Sequence, residues 1–546
     1  MPSVSPARLG PLLLSAALVG ACGGASPRAA PPGTTPLPAA SVAPIARAAG
    51  APTGVPAALG SAPDPTPAAR TAPPCPDPSL DRAGSSVVIL DCFPGPSARQ
   101  PDGARVTVPQ GADTAASANL AVSGTRLVIA NDSFLAVYTR TGVLLDTTYW
   151  DQIFASLTGA DWGYTAGWVT FDPASQRFFV GVMGREFPAA GCLAITCAGA
   201  VLVAVSRTAT PSSVGPTDWY RYRFNGDISR LPGGVVHHPG AMIDDPVLAV
   251  YRGWLLISST VMSIGPHQFI YPEQLRVIPL APLLRGGSVT TWRDFVAWRD
   301  PASGQPSFRV LPALMVSDAP VLYLVGHANC GFNVWSIDLA APAPSPQVWP
   351  VPASGPLGAC GPLDPIPQPG TALPLDPGDT AMRAVPIFRD GRLWMAKENG
   401  APYGTGVGVA TWAEVDLRGG LAHATLVQAG REQIAGTWVT HPSIMVTRSG
   451  TMLLAFQLGG PKRFASLALA ARQPADPLGG LRRPRILKAG SATLAGAAGA
   501  TGQNLSNVQD FGKSALALDP LDGTAWVIGQ YVGNPERWTT WIAHIR

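Results

Sequence analysis

"VTFDPASQRFFV", Val169 to Val180, sets an apolar run on each side of a short polar stretch in which Asp172-Pro173 leads to Arg177. An apolar strand, a tight turn rich in Asp, Pro, Gly or Ser, and a second apolar strand together signal a β-hairpin. The same pattern recurs down the chain. "LAVSGTRLVIA" runs from Leu120 to Ala130, "AMIDDPVLAVYRGWLLIS" starts at Ala241, and "ALMVSDAPVLYLVG" starts at Ala313. "VPIFRDGRLWMA" follows from Val385, "IMVTRSGTMLLAF" from Ile444 and "LALDPLDGTAWVIG" from Leu516. The turns lie about 66 residues apart on average, a period that fits a four-stranded blade with its loops.

The text after each hairpin is also alike. "AVLVAVSRTATPSS" and "DWYRYRFN" follow the second, "QLRVIPLAPLLRGG" the third, "ATWAEVDLRGG" the fifth and "FASLALAARQPADPLGG" the sixth, while "WTTWIAHIR" ends the seventh. Each set reads as a third strand, a polar excursion and an outer strand. Sheets of this kind stacked around an axis bury both faces, so their strands stay apolar without long helices. The predicted fold is all-β: a seven-bladed β-propeller of four-stranded antiparallel blades over residues 76–546. Trp335, Trp394 and Trp526 sit on predicted strands and are expected to fill the blades.

Composition agrees. A chain of 546 residues is too long for one ordinary domain unless that domain is a repeat array or barrel. Only 13% of residues are charged, against 60 Gly and 58 Pro, a balance that suits short strands and turns rather than helical bundles. The net charge is +4 with the cations scattered. Nucleic-acid binding would need a basic stripe, and it is excluded on that ground.

The first residues give an address. Arg8 precedes an apolar run, Leu9 to Ala21, that closes on Val19-Gly20-Ala21-Cys22. The run is too short to span a bilayer, which takes about 20 residues, and reads as an export signal over residues 1–21. Its ending resembles the lipobox of bacterial lipoproteins. The resemblance implies cleavage before Cys22 and acylation of that cysteine. Gly23 then implies sorting to the outer membrane of a Gram-negative envelope, on a side the sequence does not specify. Residues 22–75 are almost entirely Ala, Pro, Gly, Ser and Thr. Lacking large apolar residues, they are expected to form an extended, disordered tether.

Setting Cys22 aside leaves Cys75, Cys92, Cys192, Cys197, Cys330 and Cys360. Sequence neighbours fall into three pairs, as expected for disulfides of an oxidising compartment. Six cysteines permit 15 connectivities, and the pairing Cys75–Cys92, Cys192–Cys197 and Cys330–Cys360 rests on proximity. No CxxC or HxxxH spacing supports a zinc site, and no metal or cofactor is assigned. His237-His238 reads as a surface turn before a strand. "GATGQNLSN" and "APYGTGVGVATW" read as glycine-rich loops and turns, since neither follows a βα pattern.

"GWVTFDPASQRFFVGVM", "DWYRYRFN", "HHPGAMIDD", "HPSIMVTRSGTMLLAFQ" and "DFGKSALALDPLDGTAWVIGQY", in this order, resemble a group of exported bacterial β-propellers, sialidase-like in shape and without assigned activity. The resemblance covers residues 110 to 546 and implies fold more than function. A sialidase would carry Ser-x-Asp-x-Gly-x-Thr-Trp boxes, three arginines on a carboxylate and a Tyr–Glu pair. "DPLDGTAW" has the aspartate, glycine and tryptophan without the spacing. Arg309 and Arg383 are the arginines that such a clamp could use. Two functions therefore stand. One is a monomeric, membrane-tethered module that binds a glycan, peptide or protein partner. The alternative is a glycan-acting hydrolase with degenerate motifs. In propellers the innermost strands begin at the face that carries the central funnel. Counting back six to nine residues from each turn nominates Tyr164, His238, Arg309, Arg383, His441 and Asp510. This donor-rich set suits an anionic or polyhydroxyl ligand.

Overall fold

The structure, a computed structural model, describes residues 87–97, 118–159, 162–186, 199–226, 241–263, 270–296, 298–378, 380–402, 406–494, 513–535 and 537–546. All of them belong to one compact unit, Ser41–Arg546. Their strands form seven separate sheets. Blade two shows the plan: Trp162–Asp172, Arg177–Glu186, Gly199–Ser206 and Trp219–Asn225 pair in sequence order, each antiparallel to the last. Six of the hairpins read from sequence are the first and second strands of their blades; in blade four the inner strand, Leu311–Pro312, lies just ahead of the stretch read from Ala313. The innermost strands are Asn119–Val122, Trp162–Asp172, Ala241–Tyr251, Leu311–Pro312, Ile387–Arg389, Trp438–Val446 and Ser514–Leu518. Neighbouring blades touch through their inner strands, and Ser514–Leu518 packs back against Asn119–Val122. The chain is a seven-bladed β-propeller.

Blade faces are covered on both sides, which explains the strand composition. Met452–Gly460, "MLLAFQLGG", is buried along its whole length, and such strands read as continuous apolar runs instead of alternating ones. The outermost strands see water: Gln347–Pro350 is largely exposed. The core is accordingly a ring of clusters between neighbouring blades. Phe178 and Trp219 lie between blades one and two, Phe179 and Leu255 between two and three, and Trp298 and Trp335 between three and four. Each large apolar side chain so buried contributes ~1.5–3 kcal/mol. Blades also approach closely at the backbone: a Cβ on Gly167 of blade two would lie 2.1 Å from the Asn131 carbonyl oxygen of blade one.

Two features depart from seven identical units. Blade four's inner strand continues into Leu314–Met315, which pairs in parallel with Ile387–Arg389 and makes the sheet of blade five five-stranded. The ring is closed by Ile89–Ser97, which pairs antiparallel with Arg537–Ile545 as the outer strand of blade seven. That strand comes from the start of the domain, so the ring cannot open without breaking a ladder between its two ends.

Cys330 and Cys360 are disulfide-bonded, with 5.3 Å between their Cα atoms, and they fasten the excursion after blade four to that blade's second turn. Cys92 is buried and disulfide-bonded. Cys75, Cys192 and Cys197 lie outside the described residues, as do Cys22 and all of residues 1–75. Trp335, Trp394 and Trp526 are buried in the blades, as their strand positions predict.

Candidate functional site

The inner strands share an irregularity that no single stretch of sequence announces. In blades two, three and six the register slips between Thr165 and Trp168, Asp244 and Val247, and Thr440 and Ser443. These are β-bulges, which re-aim side chains. A non-glycine residue at each slip takes positive φ: Ala166 at 56°, Asp245 at 45° and His441 at 47°. Arg309, just ahead of the inner strand of blade four, does the same at 53°. Such backbone costs about 1–3 kcal/mol per residue and persists only where its surroundings hold it. In blades three and six, Pro246 and Pro442 follow the bulged residue and add no amide donor of their own.

What holds three of these residues is a carboxylate from the preceding blade. The Ala166 amide donates to Asp132 Oδ1 at 2.8 Å, the Arg309 amide to Glu273 Oε2 at 2.9 Å, and the His441 amide to Glu398 Oε2 at 2.6 Å. Asp132 follows the second strand of blade one, Glu273 lies in Ile270–Pro279 of blade three, and Glu398 lies in Arg392–Gly400 of blade five. Glu273 is wholly buried and also accepts from the Ser258 and Thr260 hydroxyls. Burial pushes its pKa up to about 6, even with Arg309 and these donors pulling the other way.

The bulges deliver a polar network to one end of a central channel of about 490 Å³, lined by the inner strands of all seven blades. Arg383, His441 and Lys513 line this end. Asp245 bridges Lys513 Nζ and Arg309 Nη2, each at 3.3 Å. Arg309 also donates to the carbonyls of Met382 and Asp245. Arg383 Nη1 lies 3.5 Å from Glu398 Oε1, and the Ser514 hydroxyl donates to the His441 carbonyl at 2.8 Å. Blades three to seven are thus joined through side chains at one face.

Two adjacent carboxyls respond in opposite directions. Burial, and then the charge of Asp245, push Asp244 up to about 6 against the pull of Arg309, Lys513 and Arg383. Burial also acts to raise Asp245, but Lys513, Arg309 and Arg383 outweigh it and hold that carboxyl well below the usual range.

Of the residues nominated from sequence, the structure brings Arg309, Arg383 and His441 into this network. Tyr164 stands apart: it precedes the bulge by two residues, shares a 2.7 Å hydrogen bond with Thr158, and packs on the core between blades one and two. His238 and Asp510 lie outside the described residues. Sequence reading missed Asp244, Asp245 and Lys513. In blade three the turn falls at Arg252-Gly253, between Ala241–Tyr251 and Trp254–Ser263. The same count from that turn reaches Asp244 and Asp245. Asp-Asp-Pro has the chemistry of a turn but forms the bulge.

"DPLDGTAW" is a turn with a structural task. The Asp519 carboxylate accepts from Trp526 Nε1 at 2.9 Å and pairs with Arg140. Asp519, Asp522 and His544 offer ligand atoms within 4.8 Å of one another. Arg140 and Trp526 already occupy Asp519, and His544 lies flat on the Trp526 ring, so the group reads as a packing knot.

No family model and no curated protein matches the chain. Among solved structures it is similar to a Trypanosoma rangeli sialidase, at 11% identity and a TM-score of 0.35, over 57% of this chain and 49% of that one. A Hadza microbial sialidase aligns at 10% identity and a TM-score of 0.38, over 78% and 65%. An exo-β-1,3-galactanase from Phanerochaete chrysosporium aligns at 9% and 0.28, over 84% and 99%. The chain spans about half the length of the first sialidase and about two thirds of the second. At these levels none of them bears on chemistry, and the propeller rests on the strand pairing described above.

The opposed carboxyls give a test. Raising a carboxyl's folded pKa above its unfolded value stabilises the protein below the unfolded pKa of 3.8, and that contribution is lost as pH rises through about 6. Asp244→Asn removes the loss. Relative to wild type, the variant should gain on the order of 1–2 kcal/mol between pH 4 and pH 7 in denaturant unfolding. A difference that is constant with pH would contradict the assignment.

Proposed function

We propose that the chain is an envelope-anchored lipoprotein that displays its propeller as a binding module, and that the ligand is an anionic or polyhydroxyl group, a glycan first of all. The observation that supports this reading is the convergence of Arg383, His441 and Lys513, with Arg309 beside them, at one end of the central channel. Guanidinium and ammonium donors match carboxylate and hydroxyl groups of sugars, while Asp244 and Asp245 add acceptors. Binding is expected to be monomeric and to involve no nucleic acid.

A second reading, a glycan-acting hydrolase, is favoured by one observation. Asp244 and Asp245 are held toward opposite protonation states, as a general acid and its charged partner must be. Release of reducing sugar from a bound glycan, lost in Asp244→Asn with binding retained, would decide for this reading.

Binding is tested with the full chain on an array of neutral, uronic-acid and sialylated glycans, followed by titration of the best ligand. Arg383→Ala should weaken an anionic glycan by about 10- to 150-fold, the range of a lost charge-assisted hydrogen bond. Unchanged affinity, or no glycan bound at all, would overturn the proposal. The anchor is tested separately. Cys22→Ala should shift the protein from the membrane fraction to the soluble one, because acyl chains contribute ~0.8 kcal/mol per buried CH₂. Wild-type protein recovered as soluble, with another residue at its N-terminus, would refute acylation.

A further inference from the structure

The channel has a second end, and its chemistry differs from the first. Parallel pairing of Leu314–Met315 with Ile387–Phe388 shows that the inner strands of blades four and five run in the same sense. Residues that close the inner strands therefore lie one strand length away from Arg383 and His441. Arg389 closes the strand that follows Arg383, and Arg448 follows the strand that carries His441; both line the channel.

Among the described residues neither guanidinium forms an ion pair, and Arg389 Nε is buried with no hydrogen-bond partner. The two cations sense each other. Burial holds Arg389 below its ordinary pKa, against the opposing charge of Asp390 and with a smaller contribution from the like charge of Arg448. Asp390 is exposed and does not line the channel, and Asp519, which does, is fully buried and committed to Arg140 and Trp526. This exit is therefore cationic, whereas the cations of the other end are tied to Asp245 and Glu398.

Between the two ends the lining is largely apolar and includes the partly exposed Leu314, Val316, Val385, Leu516 and Leu518. A volume of about 490 Å³ lies in the range of small-molecule sites. A small inorganic anion would meet the two guanidiniums and leave the apolar walls unused. A neutral apolar molecule would leave a like-charged pair uncompensated. A molecule with an anionic head and an apolar body satisfies both.

We propose that this exit is a second binding site, for a single-chain fatty carboxylate whose head lies between Arg389 and Arg448 and whose chain extends into the channel. The site shares no residue with the mouth at Arg383, and the proposal stands or falls independently of glycan binding.

The test is titration calorimetry on the full chain carrying Cys22→Ala, so that no detergent competes. Decanoate is compared with acetate, which lacks the chain, and with decyltrimethylammonium, which reverses the charge. Decanoate should bind one per chain, at least tenfold more tightly than either control. Arg389→Gln and Arg448→Gln should each weaken it by about 10-fold or more. Arg448 is exposed, so its variant leaves folding intact, and an unchanged melting temperature verifies this. Equal binding of decanoate and decyltrimethylammonium, binding of acetate as tight as that of decanoate, or decanoate affinity unmoved in both variants would each overturn the proposal.

Discussion

The backbone amide of His441 donates across the gap between blades to Glu398, and the same bond is made from Ala166 to Asp132 and from Arg309 to Glu273. The bond has two roles. In blades two and six it satisfies a donor that the bulge removes from its own ladder, and in all three cases it ties one blade to the next near the axis. A charge-assisted bond of this kind contributes ~1.5–3 kcal/mol, comparable to what a positive φ at a non-glycine residue costs. The strained backbone and its clasp therefore come as a unit.

The functional geometry follows from that unit. An unbroken inner strand would continue its alternation and send every second side chain back into a blade. With the bulge, Asp245 and His441 reach the polar network at one end of the channel, and Arg309, Arg383 and Lys513 complete it. Beyond the bulges the strands are regular, and the walls return to apolar residues. The channel is thus polar where the strands are irregular and apolar where they are not. The closing ladder between Ile89–Ser97 and Arg537–Ile545 keeps the ring from relaxing this arrangement.

How much of this could be read from the chain depended on the range of the interaction. Hairpins are local: an apolar run, a turn and another run declare themselves, and all seven blades follow in the order read, with the turn of blade three and the inner strand of blade four displaced. Ring closure was not legible, because Ile89–Ser97 pairs with residues at the far end of the chain and its own sequence, with two prolines, is a poor strand signal. The site was half legible. Counting back from a turn works when the turn is correctly placed, as for Arg309, Arg383 and His441. It fails in blade three, where Asp-Asp-Pro imitates a turn, and it overshoots in blade two, where Tyr164 lies ahead of the bulge. The carboxylates of Asp132, Glu273 and Glu398 gave no signal at all. Their partners are backbone amides 34 to 43 residues away, and a backbone amide has no sequence.

The claim that bulge and clasp form one unit can be measured directly by hydrogen exchange with mass spectrometry on wild type and Glu398→Ala. Peptides covering Ala166, Arg309 and His441 should exchange slowly in the wild type. In the variant, the Trp438–Val446 segment should exchange about 10- to 150-fold faster, while the segments around Ala166 and Arg309 keep their protection. Protection of Trp438–Val446 that survives the loss of Glu398, or loss of protection in all three segments together, would contradict the account.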